Sequence, residues 1–353
     1  MVRTRTNGDR FLLTGLKSRS SVPPIGSTRA CITAFPVPCE GVILTLGFEM
    51  KYQLIQKLLD AAPPIDITER QLDALRFARV CVLQALAVEE KYTLLFRNYL
   101  EIEREMHRIT LELLLMQDDH HNRMLDGLRD MNRVFMNLLT AQKAYVDQVP
   151  QHINRICGPK SEESARFSAK TRDEFDGYLG YRVLAALRNH AQHQDLPIHS
   201  LVHIGQRDKS GESSVLVNGL SATCDRDELL LNEKLSGAAR AAIVAQDAKF
   251  DVLPLIRQCM SSFSRLQLYV RETLRDRAGA SDVLLADTHE RFRTHAQATK
   301  LFGLHAAKVS DDGAEAESFV VTTNITERRK RLEGQTSTYT NLETFVISNE
   351  QLD

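Results

Sequence analysis

The sequence predicts a mainly α fold: a helical bundle with a small β-hairpin or meander insertion and additional C-terminal helices. Three observations predict it. Apolar residues recur at i, i+3 and i+4 through most of residues 50–195, the pattern of helices that bury one face. The period falls to two only near residues 198–220, between turn-forming residues. Leu, Ala, Arg and Glu, all good helix formers, dominate the middle of the chain.

Residues 1–49 read as a disordered N-terminal extension. Arg3, Arg5, Arg10, Lys17, Arg19 and Arg29 are mixed with Ser, Thr, Gly and Pro, and Asp9 is the only acid before Glu40. A start at Met50 and an Arg- and Ser-rich mitochondrial presequence are the competing readings. The apolar runs within 31–46 also suit a short strand pair. From residue 50 to 195 the reading is one helical bundle. Tyr52, Ile55, Leu58 and Leu59 predict a short amphipathic helix stopped by Pro63-Pro64. Thr68 is placed to cap a helix over 69–87, with Leu72, Leu75, Phe77, Val80, Leu83 and Leu86 on its apolar face. A long helix follows, marked by Tyr92, Leu95, Tyr99, Ile102, Met106, Ile109, Leu113 and Met116, and Asp118-Asp119-His120-His121 punctuates it.

Met124, Leu128, Met131, Phe135, Leu138 and Tyr145 mark the buried side of the next helix, over 122–157. Gly158-Pro159 breaks the pattern, and 162–194 hold a lead-in helix and a further apolar one. Long helices with short connections favour antiparallel packing. Residues 196–224 are the β-hairpin: 198–206 and 213–220 alternate around the polar turn 207–212, with Asn218-Gly219 as a second turn signal. Asp225 and Glu228 make a capping-box-like start for C-terminal helices spanning 225–302, at about 226–246, 248–277 and 282–301. Residues 303–353 form a polar tail whose segments 319–323 and 344–347 look strand-like around a charged stretch, 327–332.

Composition excludes several function classes. The 353-residue chain is 43 % hydrophobic and 26 % charged, as in ordinary soluble proteins. Its formal net charge of −1 supplies no global field for nucleic acid, so any RNA contact must be local. Six cysteines are scattered without a CxxC pair, which argues against a zinc ribbon and fits a reducing cytoplasm. No apolar run reaches membrane-spanning length, so no membrane partner is expected. Walker A, Gly-rich dinucleotide and GxSxG sequences are missing, so ATPase, dehydrogenase and α/β-hydrolase readings have no support.

Chemistry concentrates in Arg188-Asn189-His190-Ala191-Gln192-His193, at the polar end of an apolar helix that Leu196-Pro197 terminates. A guanidinium, an amide and an imidazole can grip a phosphodiester and move a proton near neutral pH. Asn189 and His193 lie four apart and share a face. The bland reading is a satisfied helix end, with His193 favoured by the C-terminal dipole.

Arg188, Asn189 and His193 fit the signature of the HEPN superfamily (higher eukaryotes and prokaryotes nucleotide-binding): Arg, a polar residue, then His after four to six intervening residues. Segments 66–195 resemble that superfamily, and 1–49 and 225–353 do not. The resemblance implies a HEPN-like bundle that dimerises and acts as a metal-independent endoribonuclease of toxin–antitoxin or anti-phage systems. RNA, a second copy of the chain and an antitoxin or defence partner protein are the implied partners. Arg188, Asn189 and His193 are the implied catalytic residues, with no metal and no cofactor. Asn98, Glu101 and His190 are possible auxiliaries, since HEPN proteins often carry polar residues on an earlier helix facing the motif. For Glu101 a solvated helix stripe with Glu105 is the favoured alternative. The competing function is a non-catalytic HEPN-like dimerisation module.

Two other groups carry less. His190, His193, His199 and His203 are close in sequence, but their spacing matches no zinc-ligand code. Arg328-Arg329-Lys330-Arg331 has the charge to meet phosphates, although a solvated helix face is commoner for such a run.

Overall fold

The computed structural model describes residues 50–58, 61–116, 120–208, 215–235, 237–311, 313–336 and 339–345. Expectations for 1–49, and for the strand-like residues 346–347, lie outside them. Mainly helical architecture with small antiparallel sheets is what the chain adopts.

Helix α1 (Glu69–Leu115) begins at a complete capping box. The Thr68 hydroxyl accepts the Gln71 N–H at 3.2 Å, and Gln71 Oε1 accepts the Thr68 N–H at 2.8 Å. The two helices expected over 69–87 and 92–116 are this single helix, about 70 Å long at 1.5 Å per residue. Helix α2 (His120–Cys157) returns along it, since Arg108 meets Asp130 and Gln84 meets His152. A Cβ on Gly127 would lie 3.1 Å from Ile109 Cγ2, so a glycine there lets α1 and α2 approach closely. Helices α3 (Glu162–Gly177) and α4 (Leu179–His193) follow as expected.

A hairpin then forms from β3 (Ser200–Asp208) and β4 (Val215–Asp225), joined by β5 (Lys249–Asp251) in a three-stranded antiparallel sheet. Asp225 Oδ1 caps α5 (Arg226–Leu230) by accepting the Asp227 and Glu228 N–H groups. The single helix expected over 226–246 is two short ones, α5 and α6 (Gly237–Val244), around the buried Asn232.

Helix α7 (Leu253–His295) corrects the two helices expected over 248–277 and 282–301. Ala278-Gly279-Ala280-Ser281 reads locally as a break, but Ala278 and Ser281 are buried. Packing outweighs the roughly 1 kcal/mol that one glycine costs a helix. α7 runs antiparallel to α1 and parallel to α2. Arg257 meets Glu103, Ser264 meets Tyr92 and Arg271 meets Glu89, while Gln267 meets Tyr145. One apolar core runs through α1–α4, the hairpin sheet and α5–α7.

The largest correction concerns residues 50–59. They hold a strand, β1 (Met50–Gln56), not an amphipathic helix. β1 lies between β2 (Ile65–Ile67) and β6 (Leu304–Ser310), and β6 pairs with β7 (Glu315–Val320), giving the antiparallel order β2-β1-β6-β7. Tyr52, Ile55 and Leu58 do recur at helical spacing, but Leu54 is the residue this strand buries fully. A second core forms beneath the sheet from Leu54, Leu72, Leu75, Leu285, Phe292 and Leu304. β1 and β2 therefore belong to a sheet completed by the segment read as a polar tail, rather than to the bundle. The charged stretch of that tail is helix α8 (Asn324–Gln335), and Leu342–Thr344 is a short 3-10 turn whose last residue begins the segment 344–347 expected as strand-like. Among the described residues no helix is long and apolar enough to cross a membrane.

Four carboxylate–arginine pairs hold α7 in place. Arg257 binds Glu103, Arg265 binds Glu174 on α3, Arg271 binds Glu89, and α8 places Arg329 on Asp282 of α7. Glu89 receives three donors: Gln267 Nε2 at 2.9 Å and Arg271 through Nε at 2.9 Å and Nη2 at 2.7 Å. Removing one partner strands the other charge in a buried site. Glu89→Leu should therefore destabilise the protein by about 3–5 kcal/mol in urea unfolding. Adding Arg271→Met should recover most of that loss. Asp126→Ala, which breaks an exposed pair with Arg129, should cost less than about 1 kcal/mol. A double variant no more stable than Glu89→Leu alone would refute this account.

Candidate active site

The apolar face of α4, built by Val183, Leu184, Ala186 and Leu187, is buried. Its approach to α7 depends on Gly180, where a Cβ would sit 2.4 Å from the Leu255 carbonyl oxygen. The Gly180 N–H donates instead to Gln258 Oε1 at 2.6 Å. The helix ends at His193, where the Gln194 N–H still closes on the His190 carbonyl at 2.8 Å. Pro197 prevents continuation.

The exit path is fixed from α2. Asn132, fully enclosed in the core, donates from Nδ2 to the Ile198 carbonyl at 2.8 Å and accepts the Ile198 N–H on Oδ1 at 3.1 Å. The amide thus acts as a strand partner for one residue. It satisfies both buried main-chain groups just before β3 begins.

Within residues 188–193 the side chains meet different surroundings. Arg188 is half-buried, and its guanidinium has no hydrogen bond or ion pair among the described residues. Asn189 Oδ1 accepts Asn232 Nδ2 at 3.0 Å, while Asn232 Oδ1 accepts the Lys234 N–H at 3.0 Å. This orientation leaves the Asn189 NH2 as a donor. His193 is exposed on the last turn. His190 is buried, and neither ring nitrogen has a partner among the described residues. Burial pushes its pKa below the ordinary histidine value, and the neighbouring His199 adds to that shift.

His199 is held from both sides. Its Nδ1 accepts the Asp225 N–H at 3.0 Å, and its Nε2 lies 2.9 Å from Glu228 Oε2. With Nδ1 accepting a main-chain N–H, Nε2 is the ring nitrogen placed to donate to Glu228. The rings of His190 and His199 are 6.2 Å apart. His203 instead faces His120, also at 6.2 Å. Among the described residues no group of three or more His, Cys, Asp or Glu is placed to hold a metal ion.

The proposed helpers on α1 are not gathered in. Asn98 Nδ2 donates to the Leu94 carbonyl of its own helix, and Glu101 makes an exposed pair with Arg104. α4 packs mainly on α7, α6, α2 and α3, so neither residue joins the α4 site. The carboxylate of this stretch that does reach the interior is Glu103. Sequence reasoning missed Asn132 and Asn232 as positioning residues. Asn132 left a trace, because it stands beside Met131 on the buried side of α2; Asn232 lies in a short loop with no periodic signal.

Arg188, Asn189 and His193 thus offer a cationic fork, an amide donor and a titratable ring on one open helix end. A guanidinium with an amide can bind an anion, and an imidazole can transfer a proton. No family model matches the chain, and no curated protein or solved structure matches it.

His190, buried and without a partner among the described residues, makes stability pH-dependent. Its folded pKa lies below the unfolded value of about 6.5, so the unfolded chain takes up the proton first as pH falls. The stability is fully present above that value and is lost from there down to the folded pKa. Between pH 7.5 and 5.5 the urea midpoint should fall more for the wild type than for His190→Leu. His199, Asp195 and Glu228 remain in both proteins to set the background slope. Equal losses would show that His190 does not carry the effect.

Proposed function

We propose that the protein is a metal-independent endoribonuclease of HEPN type, acting in toxin–antitoxin or anti-phage defence. The observation that carries this reading is the state of Arg188. Arg257, Arg265, Arg271 and Arg329 are neutralised by carboxylates, whereas Arg188 has no partner for its donors among the described residues and stands beside the oriented amide of Asn189. An unpaired, half-buried guanidinium is poised for an anion from outside.

In the proposed reaction the RNA 2′-oxygen attacks the adjacent phosphorus as the bond to the 5′-oxygen breaks. One imidazole takes the 2′-OH proton, and an imidazolium returns a proton to the leaving 5′-oxygen. His193 fills one of these roles. Arg188 neutralises charge on the phosphoryl oxygens, and the Asn189 NH2 orients them. The products carry a 2′,3′-cyclic phosphate and a 5′-OH.

A second copy of the chain supplies the other half of the site in this reading. Leu196, Val202 and Ile204 are exposed on the segment that follows α4. They provide apolar surface that a homodimer would cover, drawing two α4 ends together. The same surface serves the alternative reading, a non-catalytic dimerisation module.

Cleavage of single-stranded RNA should persist in EDTA. His193→Ala should slow it by about 10²–10⁴, the usual worth of a positioned acid–base group. Arg188→Lys should also be severely impaired, because a point charge cannot replace a two-pronged grip. Both variants should keep the wild-type melting temperature, since neither side chain has a structural partner among the described residues. Cleavage that needs a divalent cation or survives both substitutions would refute the enzyme. A wild-type dimer without RNase activity would select the module.

A further inference from the structure

A second set of arginines converges away from α4. On α1, Glu90, Thr93 and Arg97 stand at i, i+3 and i+7; on α8, Arg328, Arg331 and Gln335 repeat that spacing. The two faces line an open cleft of about 440 Å³, within the ~300–1,000 Å³ of small-ligand sites. The helical period divides the basic run of α8 between two jobs. Arg329 turns toward α7 and binds Asp282 at 2.6 Å, with Lys330 3.8 Å from the same carboxylate. Arg328 and Arg331 turn to the cleft.

Three guanidiniums share the cleft with one carboxylate. Glu90 engages Arg328 at 2.7 Å. Arg97 and Arg331 are exposed and have no hydrogen bond or ion pair among the described residues. The Thr93 hydroxyl is buried and also lacks a partner among them. Leu94 and Leu332 add apolar surface, Leu94 being half exposed. Like charges held together with unused donors are relieved by an anion that takes several donors at once.

We infer that the α1–α8 cleft binds a small ligand carrying a di- or triphosphate, of nucleotide type. Arg97, Arg328 and Arg331 take the phosphoryl oxygens, and Leu94 and Leu332 receive the less polar part of the ligand. A nucleic-acid polymer is disfavoured because it needs a basic stripe. Here Glu90 lies inside the patch, Glu327 and Glu333 flank the run, and the whole chain carries a net charge of −1. The inference does not depend on the chemistry assigned to α4.

The test is calorimetric titration of the full chain at low ionic strength with pyrophosphate, adenosine triphosphate, adenosine monophosphate and a short single-stranded RNA. Pyrophosphate and the triphosphate should bind, and the monophosphate should bind more weakly. Arg97→Gln and Arg331→Gln should each weaken binding about tenfold or more, the worth of a charged hydrogen bond. Arg331→Lys should lose less, and Arg129→Gln, on an exposed turn of α2, should leave binding unchanged. Thermal melts should show every variant folded. Failure of the wild type to bind either polyphosphate would overturn the proposal. So would equal weakening by Arg129→Gln, or RNA binding lost in Arg97→Gln without any pyrophosphate binding.

Discussion

The Glu89 carboxylate is the constraint on which the packing turns. It lies inside the protein with three donors on it from α7, and the chain of bonds extends both ways. Tyr145 of α2 donates to Gln267 at 2.8 Å, and Arg271 reaches Thr336 at the end of α8 at 2.9 Å. One connected polar path thus ties α2, α7, α1 and α8. Apolar contacts between long helices tolerate a small slide, because one leucine can replace another in a groove. Buried charges do not, since a slide leaves each without its counterion. The pairs of Arg257, Arg265 and Asp282 repeat this demand along α7, and together they leave the helix one axial position. Arg265 carries it to α3, which leads directly into α4. The orientation of residues 188–193 therefore rests on polar contacts well outside that segment.

Helical segments were legible because apolar residues recur at helical spacing and because Thr68 and Asp225 cap as their sequence contexts imply, Thr68 the long α1 and Asp225 only the short α5. The continuity of α1 and α7 was not legible. The junction of α1 across residues 88–91 was hidden because Val88 and Glu89 are both buried, which breaks a simple apolar period. Residues 50–59 failed for a different reason. In a strand with one fully buried residue, alternation is weak, and chance spacing of Tyr52, Ile55 and Leu58 imitates a helix. Its partner β6 holds Ala306 and Ala307, both buried, and alanines give little strand signal. That partnership is nonlocal, so no window of sequence contains it.

At the α4 end, the sequence revealed which side chains carry chemistry but not what each touches. Arg188, Asn189 and His193 sit on the predicted helix end. His190, an equal neighbour by sequence, faces inward and differs from His193 by burial alone. Glu101 and Glu103 are separated by two positions, yet one is solvated and the other is gripped by Arg257 at 2.7 Å. A helix turns about 100° per residue, so a two-residue difference moves a side chain to the opposite face. The same rotation turns Arg329 of the basic run of α8 inward to Asp282 and leaves Arg328, Lys330 and Arg331 exposed.

The pairing of β1 with β6 has a consequence for the order of events on the ribosome. Tyr52 lies opposite Lys308 and Leu54 opposite Ala306, so β1 must wait for nearly all the remaining described chain to emerge. The α1–α2 hairpin needs nothing beyond Cys157 and can close early, while Leu54 stays uncovered. Chains halted before residue 304 would have a substantially formed bundle and a β1 strand paired only with the short β2, its other hydrogen-bonding edge bare. Such an edge is open to pairing with other chains. Quality-control machinery would then encounter an incomplete chain through β1, although the missing residues lie far along the sequence from it.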